Sequence, residues 1–264
     1  MPHLERNGLS FHAQLLGEGP PLVMLHGLFV GSLAAWYFGA GPRLARTHRV
    51  LMYDARGHGL SARAPAGYDL GTLGADLGAL LPDAGERDGV PAVLVGHSYG
   101  ALTALKFALA HPARVARLLL VDLPAPPSKL HELQAFLKAA PEQMVGSLPS
   151  VLREHVVRGG RQGARFVAQM KFLAGESTLL ADIAAEAPLD EVALQRLRCP
   201  VSLVYGETSS CRPEGERLAR LIPGARLSLL PGGHFLPAES PAAVADWIDA
   251  ELAVGGARVG ASHG

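Results

Sequence analysis

Gly96-His97-Ser98-Tyr99-Gly100 lies between a short apolar run, Ala92-Val93-Leu94-Val95, and a helical pattern from Ala101 to Ala110. The order is strand, tight turn, helix. A serine at the centre of such a turn is held in a strained backbone conformation. Its hydroxyl is lifted out of the sheet, and a helix N-terminus lies just behind it. A Cβ at either glycine position would collide with the neighbouring strand and helix. The pentapeptide pattern G-x-S-x-G also arises by chance, and its place between a strand and a helix is what gives it weight.

On both sides of this turn, apolar runs alternate with helical stretches. Leu22-Val23-Met24-Leu25 reads as a buried strand ending at His26-Gly27, and Val50-Leu51-Met52-Tyr53 as another ending at Asp54. Leu73 to Leu81 has helical spacing and stops at Pro82. Val115 to Val121 is a β-rich run ending at Asp122. Val201 to Tyr205 ends at Gly206, and a helix from about Glu214 to Leu221 follows. Leu227 to Leu230 is a last strand, followed by Gly232-Gly233-His234 and a closing helix from Pro241 to Leu252. Continuous apolar strands separated by helices predict an α/β fold, a mostly parallel central sheet covered by helices on both faces. Ligands of such sheets sit at the carboxyl ends of the strands. His26, Asp54, Ser98, Asp122, Gly206 and His234 all fall at or just past those ends.

The stretch 124–198 breaks the rhythm. It opens with Pro124-Ala125-Pro126-Pro127 and carries helical spacing at Leu130, Leu133, Phe136 and Leu137, then at Phe166, Met170, Phe172 and Leu173. It is too long for one crossover connection. The expected organisation is a core made of 1–123 and 199–254, a helical cap over 124–198, and a Gly- and Ala-rich disordered tail over 255–264.

Composition narrows the function. The 264 residues are 48% hydrophobic, which suits a globular chain with a sizeable core. Twenty-four basic residues balance 24 acidic ones, which argues against nucleic acid or an anionic membrane surface as partner. No apolar run approaches the ~18 residues of a membrane span, and Met1 to Arg6 lack the pattern of a signal peptide. With only Cys199 and Cys211 present, a reduced, cytoplasmic protein is the simpler expectation. The His and Cys residues show no metal-ligand spacing, and no cofactor is expected.

A serine hydroxyl is a weak nucleophile until a neighbouring base takes its proton. His234 is the best candidate base, on a loop behind two glycines after the last strand. The base needs a carboxylate to fix its tautomer and stabilise the imidazolium. Two acids sit at plausible strand ends, Asp122 and Glu207. Asp54, Arg56 and His58 read as braces of a loop, His26 as a partner of loop backbone, and His97 as packing.

Pattern by pattern, the chain resembles the α/β-hydrolase fold superfamily. The matching segments are His26-Gly27-Leu28, Asp54-Ala55-Arg56-Gly57-His58-Gly59-Leu60-Ser61, the Gly96 to Gly100 turn, Tyr205-Gly206-Glu207 and Gly233-His234-Phe235. They span about residues 20 to 252. The resemblance implies Ser98 as nucleophile, His234 as base, and an oxyanion hole made by the backbone N–H groups of Leu28 and Tyr99. In one respect the chain departs from its relatives. Similar members usually carry their acid a few residues after the strand that ends here at Gly206, yet Ser209 occupies that place. Haloalkane dehalogenases of the same superfamily often carry the acid after the strand before the cap, where this chain has Asp122. Asp122 is therefore the expected acid and Glu207 the alternative. A dehalogenase is not expected, because that chemistry uses a carboxylate nucleophile.

The resemblance implies a serine hydrolase that cleaves a carboxylic ester, thioester or lactone through an acyl-enzyme on Ser98. An acyltransferase, or a lyase or C–C bond hydrolase on the same scaffold, are the alternatives. A non-catalytic binding domain is disfavoured by the retained serine, histidine and glycines. Phe29, Trp36, Tyr99, Phe235, Phe166 and Met170 are expected around the pocket, which suggests a small-molecule substrate with an apolar acyl or alcohol group.

Overall fold

The computed structural model describes residues 3–28, 31–124, 141–146, 148, 150, 153–154 and 160–256. The chain opens with a hairpin that the apolar-run reading did not anticipate. Strand β1 (His3–Arg6) pairs antiparallel with β2 (Leu9–Leu16) across Asn7-Gly8. Both turn residues have positive φ, 51° and 73°, as a two-residue turn that matches strand twist requires.

The strands anticipated from apolar runs follow: β3 (Pro21–Leu25), β4 (Arg49–Tyr53), β5 (Ala92–His97), β6 (Val115–Val121), β7 (Val201–Gly206) and β8 (Arg226–Leu230). The eight form one sheet in the order β1-β2-β4-β3-β5-β6-β7-β8. From β4 to β8 every neighbouring pair is parallel, and only the β1 and β2 pairings are antiparallel.

Alternation along the strands divides the core into two layers. Val23 and Leu25 of β3, with Leu51 and Tyr53 of β4, face one side. There they meet α3 (Leu70–Leu80), α4 (Tyr99–Ala110) and α9 (Arg212–Leu221). Leu22, Met24, Val50 and Met52 face the other side. They meet α1 (Ala34–Tyr37), α2 (Gly41–Leu44) and α11 (Pro241–Gly256), with the single turn α10 (Leu236–Glu239) at its edge. Leu102 and Leu105 of α4 are essentially inaccessible. Each such side chain contributes roughly 1.5–3 kcal/mol relative to an exposed one. Helix α3 starts three residues before the first expected apolar position, because Asp69 caps it by accepting from Thr72 N–H at 2.8 Å.

Between β6 and β7 lie α5 (Pro141–Gly146), α6 (Arg161–Gly175), α7 (Leu179–Ala185) and α8 (Glu191–Gln195). Met170 and Leu173 of α6 are buried in the first core layer. Carboxylates on α7 and just past its end tie it to the start of α3. Asp182 accepts from Tyr68 N–H at 2.8 Å, and Glu186 from Leu70 N–H at 2.5 Å. The expected cap residues from 125 to 140 lie outside the described residues. So do 257–264 of the expected tail, whereas Gly255 and Gly256 complete α11. Among the described residues no helix is long and apolar enough to cross a membrane.

Candidate active site

The turn after β5 has the conformation its sequence demands. Ser98 sits at φ 53° and ψ −125°, where a non-glycine residue is strained. A Cβ on Gly96 would lie 2.5 Å from Ala101 Cα, and one on Gly100 would meet the carbonyl oxygens of Leu25 and His26. Both glycines are therefore required by the close approach of α4 to β5 and β3. Asp122 also has positive φ, 48°, just past the end of β6. Its short polar side chain tolerates that region better than most.

Backbone hydrogen bonds continue past the strand ends and line up the side chains. Ser98 N–H donates to Val121 O at 2.9 Å, Asp122 N–H to Val204 O at 2.8 Å, and Glu207 N–H to Leu230 O at 2.9 Å. Ser98 and Asp122 are thus set side by side on adjacent strands. His234 comes in from the loop after β8, and Gly206 lets that loop close on β7, since a Cβ there would strike the carbonyl of Gly233.

The three side chains form one chain of hydrogen bonds. Ser98 Oγ is 2.9 Å from His234 Nε2, and His234 Nδ1 is 2.8 Å from Asp122 Oδ1. The Asp122 carboxylate is fully buried. Its remaining partners are Gly206 N–H at 2.8 Å and the Ser209 hydroxyl at 2.6 Å, which donates to Oδ1. Glu207 is exposed, and its carboxyl makes no hydrogen bond or ion pair among the described residues. The structure brings Asp122 to the imidazole and leaves Glu207 away from it.

Burial alone would favour a neutral His234. The Asp122 carboxylate and the Cys211 sulfur favour the charged imidazolium and outweigh it, so the pKa of His234 lies above its ordinary value. A raised pKa makes the imidazole a better proton acceptor.

Leu28 and Tyr99 flank the serine. A Cβ on the preceding Gly27 would lie 3.0 Å from Ser98 Cβ, so the Gly27-Leu28 backbone runs directly against Ser98. Tyr99 opens α4, and its N–H has no acceptor inside the helix. Beside them is a mostly apolar cleft lined by residues including Leu25, Leu28, Tyr53, Leu73, Tyr99 and Thr103. Phe235 is half-buried with its ring 5.3 Å from that of His234. Trp36 does not line the pocket. It is buried in the second core layer, packed with Leu22 and Met24 behind the sheet. Phe29 lies outside the described residues.

Other neighbours make contacts with the His234 loop that the sequence does not announce. His97 does more than pack, since its Nε2 hydrogen-bonds the carbonyl of His234 at 2.7 Å. Burial pushes the His97 pKa down to about 3, so the ring is a neutral donor there. Glu239 accepts from Gly233 N–H and Phe235 N–H, the two residues flanking the imidazole. Cys211 Sγ lies 3.6 Å from His234 Nδ1. No periodicity or spacing marks these contacts, which depend on loops that meet only in three dimensions. Asp54 braces a loop, as expected, accepting from His12 Nδ1, Leu33 N–H and Leu60 N–H. Arg56 pairs with Asp76 in the same way, at 2.7 Å.

Sheet order, strand-end alignment and the glycine-bounded turn define the α/β hydrolases, and the chain belongs to the alpha/beta hydrolase family, whose model matches residues 22–247. The sn-1-specific diacylglycerol lipase ABHD11 of Mus musculus is 32% identical, over 89% of this chain and 81% of its own length. The pimeloyl-(acyl-carrier protein) methyl ester esterase of Chromobacterium violaceum is 28% identical, over 87% of this chain and 92% of its own. A solved hydrolase from Pseudomonas aeruginosa PA01 superposes with a TM-score of 0.76 at 28% identity, covering 95% of this chain and 97% of that one. These relatives are hydrolases, one named a lipase and one an esterase. At the level of the family, this chain is a hydrolase enzyme.

Proposed function

We propose that the protein is a serine hydrolase that cleaves a carboxylic ester, thioester or lactone through an acyl-enzyme on Ser98. The observation that carries this reading is the unbroken hydrogen-bond chain from Ser98 Oγ through His234 to the buried carboxylate of Asp122. His234 Nε2 takes the hydroxyl proton as Oγ attacks the carbonyl carbon. Asp122 holds the opposite nitrogen and stabilises the imidazolium that forms. The oxyanion is received by the N–H groups of Leu28 and Tyr99, which are fixed before the reaction and need no reorganisation. His234 then gives its proton to the departing alcohol or thiol. A water activated by the same ring releases the acyl group. Glu207, exposed and away from the imidazole, has no part in this scheme.

On this reading, helices α5 to α8, between β6 and β7, belong to a cap over the strand ends. Its buried Met170 and half-buried Phe166, with Tyr99 and Phe235, favour an apolar acyl or alcohol group. The lipase and esterase names of the relatives point the same way.

The test is intact mass after treatment with a fluorophosphonate, on wild type and Ser98→Ala, alongside release of p-nitrophenol from short acyl esters. Labelling of wild type alone, with turnover, is expected. Turnover that persists in Ser98→Ala, without labelling of wild type, would remove the acyl-enzyme on Ser98 and favour the lyase or C–C hydrolase alternative.

A further inference from the structure

We propose that Cys211 Sγ, His234 Nδ1 and Asp122 form a binding site for a soft divalent cation of the zinc class, and that occupancy switches the hydrolase off. The inference concerns the regulation of the active site proposed above and rests on that reading. The three residues lie far apart in sequence, and each offers one donor atom within 4.8 Å of the others. Thiolate, imidazole and carboxylate are the ligand types that zinc and cadmium select.

The distances can be compared with what a tetrahedral ion needs. With a metal–sulfur bond of about 2.3 Å and a metal–nitrogen bond of about 2.05 Å, the two donors stand about 3.6 Å apart. Cys211 Sγ and His234 Nδ1 are 3.6 Å apart already. An oxygen and a nitrogen ligand need about 3.3 Å. Asp122 Oδ1 and His234 Nδ1, at 2.8 Å, must open by roughly half an ångström. The position is reachable, because Cys211 and His234 are only partly buried. A fourth position is left for water.

The proton count explains the inhibition. The Cys211 thiol releases its proton to solvent and becomes the thiolate ligand. The imidazole stays neutral: the metal replaces the proton on Nδ1, and the ring carries its proton on Nε2. That nitrogen then donates to Ser98 Oγ and cannot take its proton. The carboxylate that steadied the imidazolium is bound to the same ion.

Cys199 provides an internal control. It precedes the amino end of β7, whereas Cys211 follows the carboxyl end, so the two thiols lie at opposite edges of the sheet. The experiment is a cadmium titration of the full-length protein, read both as the ultraviolet cadmium–thiolate charge-transfer band and as ester turnover. Wild type and Cys199→Ser should each gain the band with one equivalent and lose turnover, and EDTA should reverse both. Cys211→Ser should lose the band. Its half-inhibitory cadmium concentration, relative to its own uninhibited rate, should rise at least ~10-fold, as expected when a ligand to a metal is lost. The band should be weaker at lower pH, where protons compete for the sulfur and the ring. Ser98→Ala should keep the band without turnover, so the site can be judged even if the serine mechanism fails. Absence of the band in wild type, or undiminished inhibition of Cys211→Ser, would overturn the proposal.

Discussion

The carboxylate that serves His234 is the residue on which the proposed mechanism can be tested most sharply. Asp122→Asn keeps the side-chain shape and tolerates the positive φ, but removes the charge and can hold the wrong imidazole tautomer. Turnover should fall by ~10⁴. Glu207→Gln, at an exposed carboxyl with no partner among the described residues, should stay within about twofold of wild type. The reverse result would move the acid to Glu207. A pH profile adds an independent readout. The base must be neutral to act, so kcat/KM falls as pH drops through the pKa of His234. The bond to Asp122 raises that pKa, so the acid limb should lie above 6.5 in wild type. It should move to lower pH in the residual activity of Asp122→Asn. The choice between the two acids was not decidable from residues alone. Asp122 and Glu207 both follow strands, and only the pairing of β6 with both β5 and β7 shows which one lies beside the serine. The serine at position 209 was the one local sign. Its hydroxyl now hydrogen-bonds the relocated carboxylate instead of supplying one.

Among the elements, α4 carries the tightest constraint. Gly100 lies against the β3 backbone at Leu25 and His26, with no room for a methyl group. Gly100→Ala must push the helix away from the strand or twist the serine turn. Overpacking of this kind costs about 1–3 kcal/mol. Denaturant unfolding should show that loss, and turnover should fall more than stability because the turn holds both Ser98 and the Tyr99 N–H. Wild-type activity in this variant would mean that the turn tolerates displacement. Most long elements were legible in the sequence because fully buried strands and amphipathic helices leave strong apolar patterns. The hairpin of β1 and β2 was missed although Asn7-Gly8 signals such a turn, because its half-exposed strands form no continuous apolar run. The four-residue helices α1 and α2 were missed for another reason. They are held by the packing of Trp36 and Leu44, not by their own propensity.

For the molecule as a whole, buried neutral histidines set a limit in acid. Burial pushes His58 and His97 down to about 3. The unfolded chain binds protons at both below about 6.5, while the folded protein cannot until near 3. Their contribution is therefore complete above 6.5 and is lost as pH falls toward 3, at up to about 1.4 kcal/mol per pH unit for each ring. His234, whose pKa is raised, contributes fully below 6.5 and adds no slope in that window. Urea unfolding at pH 6.5 and pH 5 should differ by roughly 3 kcal/mol from the two buried rings, which are half protonated in the unfolded chain at pH 6.5. Equal stabilities would show that the rings are charged in the fold. The expected helical cap, by contrast, carries no sequence signal of how its helices are held. Its weaker apolar pattern does not say which helix is anchored, and the bonds from Asp182 and Glu186 to Tyr68 and Leu70 are invisible in sequence.

Ser98 and Asp122 sit at the two ends of one strand–helix–strand crossover, β5 to β6, whereas His234 arrives on the loop after β8. During synthesis from the N-terminus, the ribosome releases the hydroxyl and the carboxylate long before the imidazole. On the proposed roles, a nascent chain that has already folded its central strands holds an unactivated serine and attacks nothing. Reactivity is acquired only when the C-terminal part docks, so an unfinished or truncated product is chemically silent.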